Sequence, residues 1–145
     1  MIIISKITMV KIENTIATGE TTGTTLSQVI RGRILSVRTV YSNTTPASTS
    51  DRDVNIFEMN PSASTTIAKA IQEILNIGTL GAAPDDDNDV YYPRVPSQDN
   101  TGTDVTFDAT NEIYEPFVVF GKVMLSVTAA AAGDITTVYL MVEEF

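Results

Sequence analysis

The sequence predicts a mainly β protein, an antiparallel β-sandwich of jelly-roll-like type carrying one short α-helix. Three observations carry that expectation. Threonine makes up about a seventh of the 145 residues and recurs inside apolar runs; a β-branched side chain suits a pleated, half-buried surface and costs a helix χ1 freedom. Apolar residues alternate with period two near the C-terminus, as in strands with one buried face. Tracts rich in Gly, Ser, Thr, Pro and Asp separate the apolar runs, as the turns of an all-β fold require.

The first run, Ile7 to Ile16, reads as a strand. With the isoleucine-rich start before it, it forms an N-terminal strand or arm over residues 1–17, followed by the sandwich over 18–145 in a single domain. Thr18 to Ser27 is a loop. Ile30 to Tyr41 is a second strand whose alternation slips: Ile30, Gly32 and Ile34 share one face with Arg31 and Arg33 on the other, and then Leu35 and Val37 fall on the arginine side. A bulge near Ile34 reconciles the halves, and Gly32 marks a bend or a close approach. Ser42 to Asp53 is a loop, and Val54 to Met59 a short strand.

The helix is expected at Thr65 to Asn76. Asn60-Pro61-Ser62-Ala63-Ser64 offers capping side chains, Ile67, Ala70, Ile71, Ile74 and Leu75 recur at helical spacing, and Gly78 stops it. Gly78 to Asp89 and Pro93 to Gly102 are loops. Phe117 to Ala129 places Phe117, Val119, Val123, Leu125 and Val127 on one face; Ala130-Ala131-Ala132-Gly133-Asp134 turns the chain; Ile135 to Glu143 resumes with Val138, Leu140 and Val142 together. The two strands read as an antiparallel hairpin. Both are apolar on either face near their centres, which places them in mid-sheet or beneath a partner chain.

Composition narrows the chemistry. The chain has no Cys and no His, which removes thiol nucleophiles, disulfides, imidazole bases and zinc fingers. Nine basic against eighteen acidic residues give a net charge of −9, so phosphate backbones and anionic membrane surfaces are repelled. No run reaches the ~18 consecutive apolar residues of a membrane span. The start, with its first basic residue after a very short apolar run, does not read as a secretory signal.

The densest charge is Asp85-Asp86-Asp87-Asn88-Asp89. Alternate carboxylates at Asp85, Asp87 and Asp89 are the one candidate calcium site, yet the sixth and twelfth places of a helix–loop–helix calcium motif hold Val90 and Pro96. A solvated acidic loop accounts for the run better, and no metal or other cofactor is expected. Tyr91 and Tyr92 offer a stacking platform for a sugar ring, which makes a carbohydrate-binding or adhesive β-sandwich module the alternative reading. Their plainer role is one tyrosine packed inward and one covering an edge. Asp51, Asp53, Glu58, Asp104 and Asp108 could supply a carboxylate pair, but nothing in their spacing sets one up; there is no Ser-x-x-Lys, and Gly19 to Thr25 lacks the lysine of a phosphate loop. No catalytic residue is assigned, and the chain is not expected to be an enzyme. Arg31, Arg33 and Arg38 fall on one strand, suited either to an interface or to pairing with the chain's own acids.

The order of segments resembles a known group. A Gly19-Glu20-Thr21-Thr22-Gly23-Thr24-Thr25-Leu26 loop leads to Ile30-Arg31-Gly32-Arg33-Ile34, and Asp51-Arg52-Asp53-Val54 opens the next strand. Tyr91-Tyr92-Pro93-Arg94, Asp99-Asn100-Thr101-Gly102 and the closing strands follow. From Gly19 onward this resembles the small β-sandwich auxiliary capsid proteins of tailed bacteriophages, the head decoration or cement proteins. The resemblance implies a non-enzymatic structural protein on the outer capsid surface of the virion, a homo-oligomer (a trimer is expected) bound to the major capsid protein. The expected self or capsid contacts are Met1, Ile2, Ile3, Ile4, Arg31, Arg33, Tyr91, Tyr92 and Arg94, with the isoleucine-rich start adding a strand to a neighbour.

Overall fold

The alternation is realised as ten antiparallel strands in a computed structural model, which describes residues 5–43, 52–60, 65–79, 90–108 and 110–145. The strands are β1 (Lys6–Thr15), β2 (Gly23–Leu26), β3 (Ile30–Asn43), β4 (Asp53–Met59), β5 (Ala70–Thr79), β6 (Val90–Tyr91), β7 (Arg94–Pro96), β8 (Tyr114–Pro116), β9 (Val118–Thr128) and β10 (Asp134–Glu144). The main path runs β1-β10-β3-β9-β4-β5, with β2 added to β9 and β6 to β3. β9 joins two layers. Its first residues pair with Ile30–Arg33 of β3, while its remainder lies between β2 and β4.

The two layers face one another across one core. Val10 and Ile12 of β1, Ile34 and Val37 of β3, and Val138, Leu140 and Val142 of β10 meet Val54 and Ile56 of β4, Ile74 of β5, and Val119, Val123, Leu125 and Val127 of β9. Most of these side chains are fully buried, each contributing about 1.5–3 kcal/mol relative to exposure. The other face of β9 is covered at Met124, which packs with Phe57, Met59, Leu26 and Ala70 in a second cluster, and open at Val118 and Phe120. Packing against the second cluster thus accounts for the two-sided apolarity of β9 at Met124, and leaves it unaccounted for at Val118 and Phe120.

The expected bulge is present. Met141 faces Ser36 and Val142 faces Ile34, leaving Leu35 as the extra residue. Gly32 is the expected close approach, since a Cβ there would strike the Glu143 carbonyl and Val142. The glycine lets β10 lie flat against β3.

Three expectations need correction. The segment over Thr65–Asn76 is not a helix: one 3-10 turn, Ile67–Lys69, leads into β5. The register of β5 against β4 slips three times, so Ile71, Ile74 and Ile77 are each the extra residue of a bulge. Bulges three residues apart reproduce the i, i+3 spacing of a helical face. Thr66, at the N-cap, makes no capping side-chain bond, and the β-branched isoleucines favour the extended chain.

The terminal strands also do not form a hairpin. β9 and β10 are both present, but β10 pairs with β1 and β3. The link between them crosses from one layer to the other, through Ala129 at φ 53° and Gly133 at φ 87°. It is tied by Ala130 N–H to Thr21 O, 3.0 Å, and by Gly133 N–H to Ile16 O, 2.9 Å. Each strand then presents its apolar face to the common core from opposite sides, which side-by-side pairing would not allow. Finally, the loop at Thr18–Ser27 contains β2, and the one at Pro93–Gly102 contains β7.

Candidate interaction surfaces

The outward positions of β1, β10, β3 and β6 are brought side by side by register: Met9 faces Met141, Lys11 faces Tyr139, Tyr139 faces Arg38, and Arg38 faces Val90. Between them lies a shallow groove of about 330 Å³, lined by Met9, Leu35, Ser36, Arg38, Val90, Tyr92, Tyr139 and Met141. Met9 is 57% exposed and Tyr92 66%. These side chains leave an apolar surface open to solvent on the sheet face. Arg38 is exposed within it and forms no ion pair among the described residues.

Tyr91 and Tyr92 do not act together. Tyr91 sits opposite Val37 and packs against the core, while Tyr92 faces the groove and solvent. Alternation along the strand sends the rings to opposite sides, so they offer no shared sugar platform. Arg94 donates to the carbonyls of Leu35 at 3.3 Å and Pro93 at 2.8 Å, which fixes the root of the next segment.

Arg31 and Arg33 share the outward face of β3 but differ in engagement. Arg33 stands directly opposite Glu143 and pairs with it at 2.8 Å, its guanidinium 6.0 Å from the Phe145 ring. Its charge is therefore met by an acid of the same chain. Arg31 stands opposite Phe120, beside Val29 and Phe145. Phe120 and Phe145 touch with ring centres 5.7 Å apart and are both mostly exposed. They form a second, smaller apolar patch.

A third feature is a prong that runs from Arg94 to Pro116. β7 pairs with β8, and a middle segment bridges both through Gln98–Asp104 and Thr106–Glu112. Backbone bonds close a ring of three: Ser97 N–H to Ile113 O, 2.7 Å; Val105 N–H to Ser97 O, 2.8 Å; and Ile113 N–H to Val105 O, 3.0 Å. Every described residue from Gln98 to Glu115 is exposed, so hydrogen bonds rather than a core hold the shape. At one bend Asp99 Oδ1 accepts Thr101 N–H, Thr101 Oγ1–H and Thr103 N–H at 2.7, 2.7 and 3.1 Å. At the tip Asp108 Oδ1 accepts Thr110 N–H, Thr110 Oγ1–H and Asn111 N–H at 2.8, 3.0 and 2.9 Å, while Oδ2 accepts Asn111 Nδ2–H at 2.7 Å. These donors, the Thr110 amide first, hold the Asp108 carboxyl down to about 2. Next to it Phe107 is 84% exposed.

Met1, Ile2, Ile3, Ile4, Asp51, Asp85, Asp87 and Asp89 lie outside the described residues. Among the described residues no three acidic side chains gather as a cation site. Of the other carboxylates considered, Glu58 accepts Phe120 N–H at 3.0 Å and Gln72 Nε2–H at 2.6 Å, Asp104 accepts Gln98 Nε2–H at 3.0 Å, and Asp108 caps the prong. Each serves the backbone or a neighbouring amide. Phe107 and the Arg38 groove escaped the sequence reading. The groove draws on four strands, and only their register assembles it; Phe107 lies in a segment with no periodicity to flag it. No protein-family model, curated protein or solved structure matches the chain.

Proposed function

We propose that this chain is a non-enzymatic structural protein of a virus capsid, a head decoration or cement protein. Copies self-associate, as a trimer on this reading, and bind the outer surface of the major capsid protein shell to reinforce it. The observation that carries the proposal is the apolar outer face of the β1-β10-β3 layer, where Met9, Tyr92, Tyr139 and Met141 line a groove in the open rather than a core. Such a surface gains free energy by being covered. The net charge of −9 fits the outside of a shell better than contact with packaged DNA. The sugar-binding alternative draws no support from Tyr91 and Tyr92, whose rings part to opposite sides of the sheet.

The test has two arms. Light scattering across a wide concentration range should give a mass above the monomer. Sedimentation with empty heads, assembled from tailed-bacteriophage major capsid proteins, should carry the protein down with one of them at a saturating, fixed ratio to shell subunits. Protein left in the supernatant at every concentration would sink the shell assignment.

A further inference from the structure

We infer that copies of this chain join by seating the Phe107 prong of one in the Arg38 groove of the next. The inference rests on the self-association half of the proposed function and is independent of the shell. The prong is shaped before any partner arrives. Its ring of three backbone bonds and its two aspartate-capped bends spare the ordering entropy that a free loop would lose on binding. What it presents is an aromatic ring, Phe107, 84% exposed and covered by none of the described residues.

Charge selects the receiving surface. Between Arg94 and Lys122 the chain carries five acids, Asp99, Asp104, Asp108, Glu112 and Glu115, and no basic residue. With a net charge of −9, two copies repel unless this acidic prong meets a cation. Four of the nine cations are already committed to acids of the same chain: Lys6 to Glu144, Lys11 to Glu13, Arg33 to Glu143 and Arg52 to Asp134. Among the described residues Arg38 pairs with no acid, and it lies in an apolar groove of about 330 Å³, room enough for an aromatic side chain. An aromatic tip flanked by carboxylates therefore fits an apolar floor holding one arginine.

Prong and groove are different surfaces of one chain, so the contact is heterologous and a closed ring satisfies every copy. Two substitutions at exposed positions test this, Phe107→Ser and Arg38→Glu, with thermal melts matching the parent to show that each folds. In sedimentation velocity each alone should weaken association by about tenfold or more. An equimolar mixture should restore a dimer, since one variant keeps the groove and the other the prong. If both variants associate like the parent, this contact is wrong and self-association stands. If the parent itself stays monomeric at high concentration, self-association falls with it, and the shell sedimentation decides the rest.

Discussion

Arg52 and Asp134 form an ion pair with both side chains wholly excluded from solvent, 3.3 Å between Nη2 and Oδ1. The pair ties the entry to β4, in one layer, to the start of β10, in the other. Arg52 Nη1 also donates to Ile135 O at 3.1 Å and Thr136 Oγ1 at 3.2 Å, and its guanidinium stands 5.4 Å from the Tyr41 ring. Asp134 Oδ2 accepts Ala131 N–H at 2.9 Å, fixing the crossover from β9.

Removing one member deprives the other of its buried counter-charge. Arg52→Met or Asp134→Asn should each lower the unfolding free energy by about 3–5 kcal/mol. Replacing both with apolar residues should recover much of the loss, because the desolvation cost disappears along with the attraction. Urea unfolding of the two single variants and the double variant measures this. A loss under about 1 kcal/mol for Arg52→Met contradicts the buried pair.

Gly32→Ala tests the close approach of β3 and β10. The added methyl meets the Glu143 backbone carbonyl and Val142, and main chain cannot swing aside as a flexible side chain does. The expected destabilisation is about 1–3 kcal/mol, with the backbone shifts of Arg33 and Glu143 in an NMR spectrum moving most.

Where structure follows from a face, the sequence was readable; where it follows from a partner far along the chain, it was not. Val119, Val123, Leu125 and Val127 alternate because one side of β9 meets the core, and that pattern is local. The slip at Leu35 was legible for the same reason. The isoleucines at 71 and 74 misled because bulges in succession imitate a helix, and those bulges exist only against β4. The partners of β10 are β1 and β3, some hundred residues or more earlier, and nothing in the short link after β9 distinguishes an arch from a hairpin. The interaction surfaces suffered most, since Met9, Arg38, Val90 and Tyr139 become neighbours only through register.

Glu58 does the work of a missing strand. β4 ends at Met59, opposite Lys122, so the edge of β9 before that point has no backbone neighbour from β4. There the Glu58 carboxylate accepts Phe120 N–H, and Gln72 Nε2–H, shared with Glu58, leans toward Val118 O at 3.4 Å. Glu58→Ala leaves the Phe120 amide without its acceptor and should cost about 1–3 kcal/mol. Amide exchange at Phe120 should accelerate well beyond that at Val123, whose N–H is held by Ser27 Oγ at 2.9 Å; equal acceleration at both would mean global destabilisation instead.

The prong tip should respond to acid at an unusually low pH. Asp108 titrates at about 2 rather than 3.8, because the Thr110 and Asn111 donors bond its ionised form. A depressed carboxylate contributes its ordering fully above its unfolded value and loses it as pH falls through its folded value. The tip should therefore be intact above about pH 4 and loosen only toward pH 2. NMR titration of the Thr110 and Asn111 amides should show midpoints near 2; a midpoint near the ordinary carboxylate value would mean that the side chain does not cap them. Asp108→Ala, by removing the acceptor, should leave the tip loosened already at neutral pH and abolish the transition near pH 2. It should leave the melting of the sandwich unchanged, because the tip touches no core. If Phe107 docks as inferred, the same variant should weaken self-association while Phe107 itself is untouched, since a loosened tip must be ordered again on binding.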